Sequence, residues 1–156
     1  MSFDGSIGLR ALIVTAGSRA CAIPVQYVGE TMRPLPVTRM LGTPRFVRGL
    51  SIIRGEPVPV VDLRLLLEND ESSAACDRFV TIKTGERRVA LAVDTVVGLR
   101  DLDPTRTQEL PPLLNNMNAD LIEAIGRSDE ELLFVLRATR LVPEEVWASL
   151  AAATQV

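Results

Sequence analysis

The chain contains no histidine. That absence removes the side chain most often used as a general base, the partner of Ser-His and Cys-His nucleophiles, and a leading zinc ligand. Aromatic residues are scarce, at 4%, so a core must be aliphatic and stacking platforms for bases are lacking. There is no basic excess either: 17 basic residues face 20 acidic ones, for a net charge of −3, which argues against a nucleic-acid binder. The two cysteines, Cys21 and Cys76, form no metal or redox spacing, and both read as inert thiols. No apolar run approaches the roughly 20 residues of a membrane span. Met1 to Arg10 lacks the apolar segment of a secretory signal. Glycines stand singly, so there is no phosphate-cradling loop. Ser128-Asp129-Glu130-Glu131 lacks the ligand alternation of a calcium loop and reads as a charged hairpin turn. The expectation is a soluble cytoplasmic protein that is not an enzyme, with no cofactor, metal, nucleic acid or membrane insertion.

Apolar residues make up 47% of 156, enough for one domain or two small lobes. The organising stretch runs from Phe46 to Arg64 and reads as two strands joined at Arg54-Gly55, where glycine supplies the positive φ of a tight hairpin turn. Pro57 and Pro59 remove donors from one side of the second strand. That strand is expected to pair fully through Glu56, Val58 and Val60 only, and to belong to an edge or a small barrel. Asp62 suits the N-cap of a short helix, Leu63 to Leu67.

Other hairpins are expected at Leu9–Val14 with Ala20–Val25, Phe79–Thr84 with Arg87–Val93, and Leu121–Gly126 with Leu132–Leu136. Val25–Val28 and Asp94–Val97 read as turns, and 99–114 as irregular. Glu68–Asp77 reads as a linker and Asn115–Asn118 as a polar loop. Pro143-Glu144-Glu145 opens a helix whose apolar stripe is Val146, Trp147, Leu150 and Ala151.

The halves repeat. Leu12-Ile13-Val14, Ala22 to Val25 and Val28 match Val80-Thr81-Ile82, Ala90 to Val93 and Val96 at an offset of about 68 residues. Val47, Leu50, Val58, Val60 and Leu66 match Ile122, Ile125, Leu133, Val135 and Leu141 at about 75. The expected fold is all-β with short helices: two five-stranded barrels side by side, sharing an interface, with a groove between them. The barrels are placed at about 9–67 and 78–142 of a domain spanning 9–150, with strand exchange allowed and 1–8 and 151–156 as flexible termini.

Phe46–Gly49, the Arg54-Gly55 corner, Pro57 and Pro59, and the Asp62-Leu63-Arg64 exit together resemble the signature of the CheW-like domain family, and Val80–Val97 and Leu121–Val142 extend the resemblance. It implies two SH3-like barrels forming a non-enzymatic scaffold. Such an adaptor couples the cytoplasmic tip of a methyl-accepting chemoreceptor, received between the barrels, to the regulatory domain of a CheA-type histidine kinase. Positions matching family contact residues are Val28, Glu30 and Arg54, with Gly55 contributing through close backbone approach. Ile52 stands where the family often has Asn, which implies either altered partner choice or a harmless buried replacement. Met1 and the lack of a receiver or kinase motif imply a stand-alone adaptor. The alternatives are a CheW-like scaffold of another chemosensory system, governing pili or gene regulation, or a fragment of a larger kinase or receiver-bearing adaptor. A small barrel binding a ligand or oligonucleotide is the alternative of a different class.

Overall fold

The computed structural model describes residues 9–68, 76–102, 122–128 and 131–154. In chain order the strands are β1 (Leu9–Ala16), β2 (Arg19–Pro24), β3 (Val28–Met32), β4 (Val47–Ile53) and β5 (Glu56–Asp62), followed by helix α1 (Leu63–Glu68). Then come β6 (Arg78–Thr84), β7 (Arg87–Val93), β8 (Thr95–Leu102), β9 (Ile122–Ser128), β10 (Glu131–Leu136) and helix α2 (Glu144–Thr154). The linker at 69–75, the region 103–121 with its polar loop, residues 129 and 130 of the charged turn, and termini 1–8 and 155–156 lie outside the described residues.

The strands form two five-stranded sheets, in the orders β8-β1-β2-β10-β9 and β3-β6-β7-β5-β4. Replacing each strand of one sheet by its repeat counterpart reproduces the other. The equivalence extends to register. The parallel pair β2–β10 aligns Ala22 with Val135, and its counterpart β7–β5 aligns Ala90 with Val60. Each sheet therefore takes strands from both halves of the sequence, and neither begins or ends near residue 68.

The turn expected at Val25–Val28 is present as a 3-10 turn at Val25–Tyr27. Strand β3 (Val28–Met32) follows it at once, and Thr95–Leu102 is a strand where a turn and irregular chain were expected. Both contain a glycine and alternate between half-buried and exposed positions, so neither gives the apolar run of their neighbours. Both are also interrupted by a bulge, after Val28 against β6 and at Val14/Val96 against β1. In addition, α2 continues to Thr154, past the terminus placed at 151.

The proline strand β5 is also not an edge. It lies between β4 and β7. Since proline cannot donate, its ladder to β4 runs through Glu56, Val58 and Val60, and its parallel ladder to β7 begins only at Val60, beyond Pro59. The prolines delay the second pairing instead of preventing it. At the β4–β5 corner Arg54 and Gly55 have φ of 51° and 81°, the pair of left-handed residues of a type I′ turn.

Among the described residues the buried apolar side chains form three clusters. Ala11, Ile13, Ala22, Leu102 and Val135 fill the first barrel. Ile53, Val58, Val60, Phe79, Ala90 and Ala92 fill the second. The largest cluster lies between them and draws Leu12, Val14 and Ile23 from one sheet and Val80, Ile82, Leu91 and Val93 from the other, with Leu66, Leu141 and Val146 over it. Strands β1, β2, β6 and β7 thus bury both faces, which is why they read as unbroken apolar runs. Helix α2 is fastened outside this layer: Arg87 donates to Glu144 at 2.6 and 3.0 Å and lies 5.0 Å over the ring of Trp147.

Val60 is completely buried among Phe79, Ala90 and Ala92. Val60→Asp places a carboxylate there without a partner, a cost large enough to unfold a domain held by about 5–15 kcal/mol. We expect circular dichroism and thermal melting to show loss of the native state. A native-like, cooperatively melting variant would contradict the packing of β5.

Candidate interaction site at the seam of the second barrel

The second sheet has β3 at one end and β4 at the other. Two sets of polar contacts join these ends. Just beyond β3, the Thr38 N–H donates to the Leu50 carbonyl at 2.7 Å, and the Leu50 N–H donates to the Thr38 carbonyl at 2.8 Å. Gly49 permits that approach: its φ is 148°, and a Cβ there would lie 2.0 Å from the Thr38 oxygen. At the other point Arg54, on the hairpin corner, donates through Nε to Glu30 Oε1 at 2.9 Å and through Nη2 to Oε2 at 2.7 Å. This is a bidentate fork between residues 24 positions apart.

Glu30 is aimed at Arg54 by the bulge. Val28 pairs with Ile82 and Thr31 with Val80, so Gly29 and Glu30 together face Thr81. The Glu30 N–H donates to Thr81 Oγ1 at 2.8 Å, and the Thr81 hydroxyl donates to the Glu30 carbonyl at 3.3 Å. Thr81 is buried, and a Cβ on Gly29 would lie 2.4 Å from its hydroxyl. Glycine at 29 therefore lets the two strands close.

Of the four residues carried over from the family, the structure brings Glu30 and Arg54 into direct contact and places Gly55 beside Arg54. Val28 stands apart in role: it is half-buried and packs against the shared core. Ile52 is 63% exposed on the outer face of β4, so the buried-replacement reading of that position is corrected. Sequence reasoning missed Thr81. The repeat holds the signal: Thr81 aligns with the core residue Ile13, and Glu30 with Gly98, so one copy carries a polar pair where the other carries none.

The signature's remaining charges are occupied internally. Asp62 Oδ1 accepts from the Arg64 and Leu65 N–H groups at 3.0 and 3.2 Å, capping α1. Arg48 Nε donates to Asp62 Oδ2 at 2.6 Å. Arg64 donates to Asp94 Oδ2 at 2.9 Å, and that oxygen also accepts from the Gly17 N–H at 2.7 Å. Burial pushes the thiols of Cys21 and Cys76 above their ordinary range, which suits inert groups. Among the described residues no group of three or more His, Cys, Asp or Glu is arranged to hold a metal, and no helix is long and apolar enough to cross a membrane.

The CheW-like domain matches residues 10–146. The chain belongs to the CheW-like domain family. It is similar to the chemotaxis protein CheW of Klebsiella aerogenes, with 26% identity over 148 residues, 92% of this chain and 87% of that protein. It is similar to Protein FrzA of Myxococcus xanthus, with 29% identity over 131 residues, 81% of this chain and 80% of that one. Its fold is that of the scaffolding protein TtCheW from Thermoanaerobacter tengcongensis, with a TM-score of 0.74 at 18% identity, covering 84% of this chain and 90% of that one. The expectation of a CheW-like architecture of two small barrels is met.

Arg54 hydrogen-bonds the Glu30 carboxylate and holds its pKa below the ordinary 4.5. A depressed carboxylate favours the folded state above its ordinary pKa, and that contribution disappears as pH falls through the lower folded value. A carbon-13 carboxyl titration should place Glu30 below 4.5 in the native chain and return it toward 4.5 in Arg54→Ala. An identical midpoint in both would show that the pair does not form in solution.

Proposed function

We propose that this CheW-like chain is a non-enzymatic chemotaxis adaptor that couples the cytoplasmic tip of a methyl-accepting chemoreceptor to the regulatory domain of a CheA-type histidine kinase. The observation that carries the reading is the family match across both barrels, from residue 10 to 146. The seam geometry supports it. Arg54 is 70% exposed and gives Nε and Nη2 to Glu30, which leaves Nη1 for a carboxylate or carbonyl of a partner. Exposed Ile52 lies two residues away on β4 and supplies an apolar neighbour. The family resemblance adds Val28 and Gly55 to this surface and the groove between the barrels as the place of the receptor helix. The protein works in the cytoplasm, recruited to membrane-associated receptor arrays. A scaffold of another chemosensory system is the second reading, and it rests on the similarity to Protein FrzA, comparable to that with CheW.

Arg54→Glu reverses the charge at an exposed corner and leaves the cores untouched. Calorimetry with the regulatory domain of the CheA-type kinase from the same organism should show affinity weakened about tenfold, with an unchanged circular dichroism spectrum. Adding Glu30→Arg should not restore binding, because the partner reads the charge at residue 54 itself. Unchanged affinity in Arg54→Glu, or full rescue by the double exchange, would contradict the contact role.

A further inference from the structure

After β7 the chain leaves the second sheet, and at Thr95 it enters β8 of the first. Asp94 is the single residue between them. Its N–H donates to the Thr15 carbonyl of β1 at 2.8 Å. Its Oδ2 accepts from the Gly17 N–H, in the turn that follows β1, at 2.7 Å. The same oxygen accepts from Arg64 Nη2 at 2.9 Å, and Arg64 belongs to α1, the helix that continues β5 of the second sheet. One carboxylate oxygen therefore ties an element of each sheet. The Arg64 end is itself held, because Asp62 caps α1 and accepts from Arg48 of β4. The Arg64 and Asp94 side chains are 21% and 26% exposed, so the pair escapes much of the screening that weakens a surface ion pair. The repeat puts Gln26 and Thr139 at the matching positions. Neither is charged, so the crossover from β2 to β3 cannot form this ion pair.

We propose that Asp94 and Arg64 are positioning residues that set the angle between the two barrels, and with it the surface offered to a partner that spans both. The apolar layer between the sheets supplies attraction but little direction, since burial scales with area and is non-directional. Hydrogen bonds weaken steeply when bent, so the three that meet at Asp94 select one orientation. They act where the chain passes from one sheet to the other, and neither side chain has to touch the partner. The role in binding rests on the adaptor reading, in which the receptor tip lies between the barrels. The role in orientation does not.

The test uses the full chain labelled with nitrogen-15 and weakly aligned in a stretched gel, with residual dipolar couplings read separately for the amides of each sheet. In the native chain one alignment tensor should fit both sheets. In Asp94→Ala and in Arg64→Met each sheet should still fit a tensor of its own, but the two tensors should differ, while the melting temperature falls by about 5 °C or less. Asp94→Asn keeps an oxygen for the Gly17 N–H and should lie between these limits. The exchange Asp94→Arg/Arg64→Asp should not restore the native orientation, because arginine cannot accept from Gly17. Binding to the soluble cytoplasmic fragment of a methyl-accepting receptor from the same organism should weaken about fivefold in Asp94→Ala. A single shared tensor in both single variants overturns the proposal, and so does loss of the fold in both, which would make the tie a matter of stability alone. Altered tensors with unchanged affinity would overturn the positioning role. If the native chain does not bind the receptor fragment, the adaptor reading fails, and the couplings alone decide whether the tie sets the angle.

Discussion

One apolar layer between two sheets governs this molecule. Among the described residues, Ala11, Ile13, Ala22, Leu102 and Val135 are buried inside the first barrel, and Ile53, Val58, Val60, Phe79, Ala90 and Ala92 inside the second. Domains of this size are marginal on their own. Most of the buried side chains lie instead between the sheets, where Leu12, Val14 and Ile23 meet Val80, Ile82 and Leu91. Alternation along β7 assigns Ala90 and Ala92 inward to a narrow barrel and Val89, Leu91 and Val93 outward to the shared layer. Interleaving strengthens the dependence, because each sheet borrows strands from the other half of the sequence.

On this symmetric frame the polar chemistry is asymmetric. The bulge of β3 is matched by a bulge of β8, but only the former carries a carboxylate, held by the buried Thr81 and forked onto Arg54. Much of the signature that identifies the family maintains structure: Asp62 caps α1, Arg64 reaches Asp94, Gly49 lets Thr38 pass, and the prolines set where β5 joins β7. Arg54 and Ile52, by contrast, stand exposed on the β4–β5 hairpin. A scaffold needs no more than rigid surfaces of this kind.

Much of this was legible in the residues. The repeat offsets carried over to the strand equivalences, and the Arg54-Gly55 corner and the Asp62 cap occupy the expected positions because turn and cap chemistry are local. Pairing order was not legible. A strand with Pro57 and Pro59 looks like an edge until it is seen that Val60 to Asp62 suffice for a parallel ladder. Strands β3 and β8 were hidden because each has only half-buried and exposed positions over most of its length, so neither shows an apolar run, and each is interrupted by a bulge. The Glu30–Arg54 contact joins residues brought near only when the barrel closes. The threonine that aims Glu30 was visible in principle, as a polar residue in a repeat position that is otherwise core.

The account's central claim is that the two barrels are one cooperative unit. It is tested most directly by Leu91→Ala, which removes a fully buried side chain from the shared layer and should cost about 2–5 kcal/mol. Native-state hydrogen exchange would follow the amides of Ala22 in the first barrel and Ala90 in the second. The account predicts that both lose protection by the same factor, since both open only in global unfolding. Loss of protection at Ala90 with Ala22 unchanged would contradict it and show two barrels that stand independently.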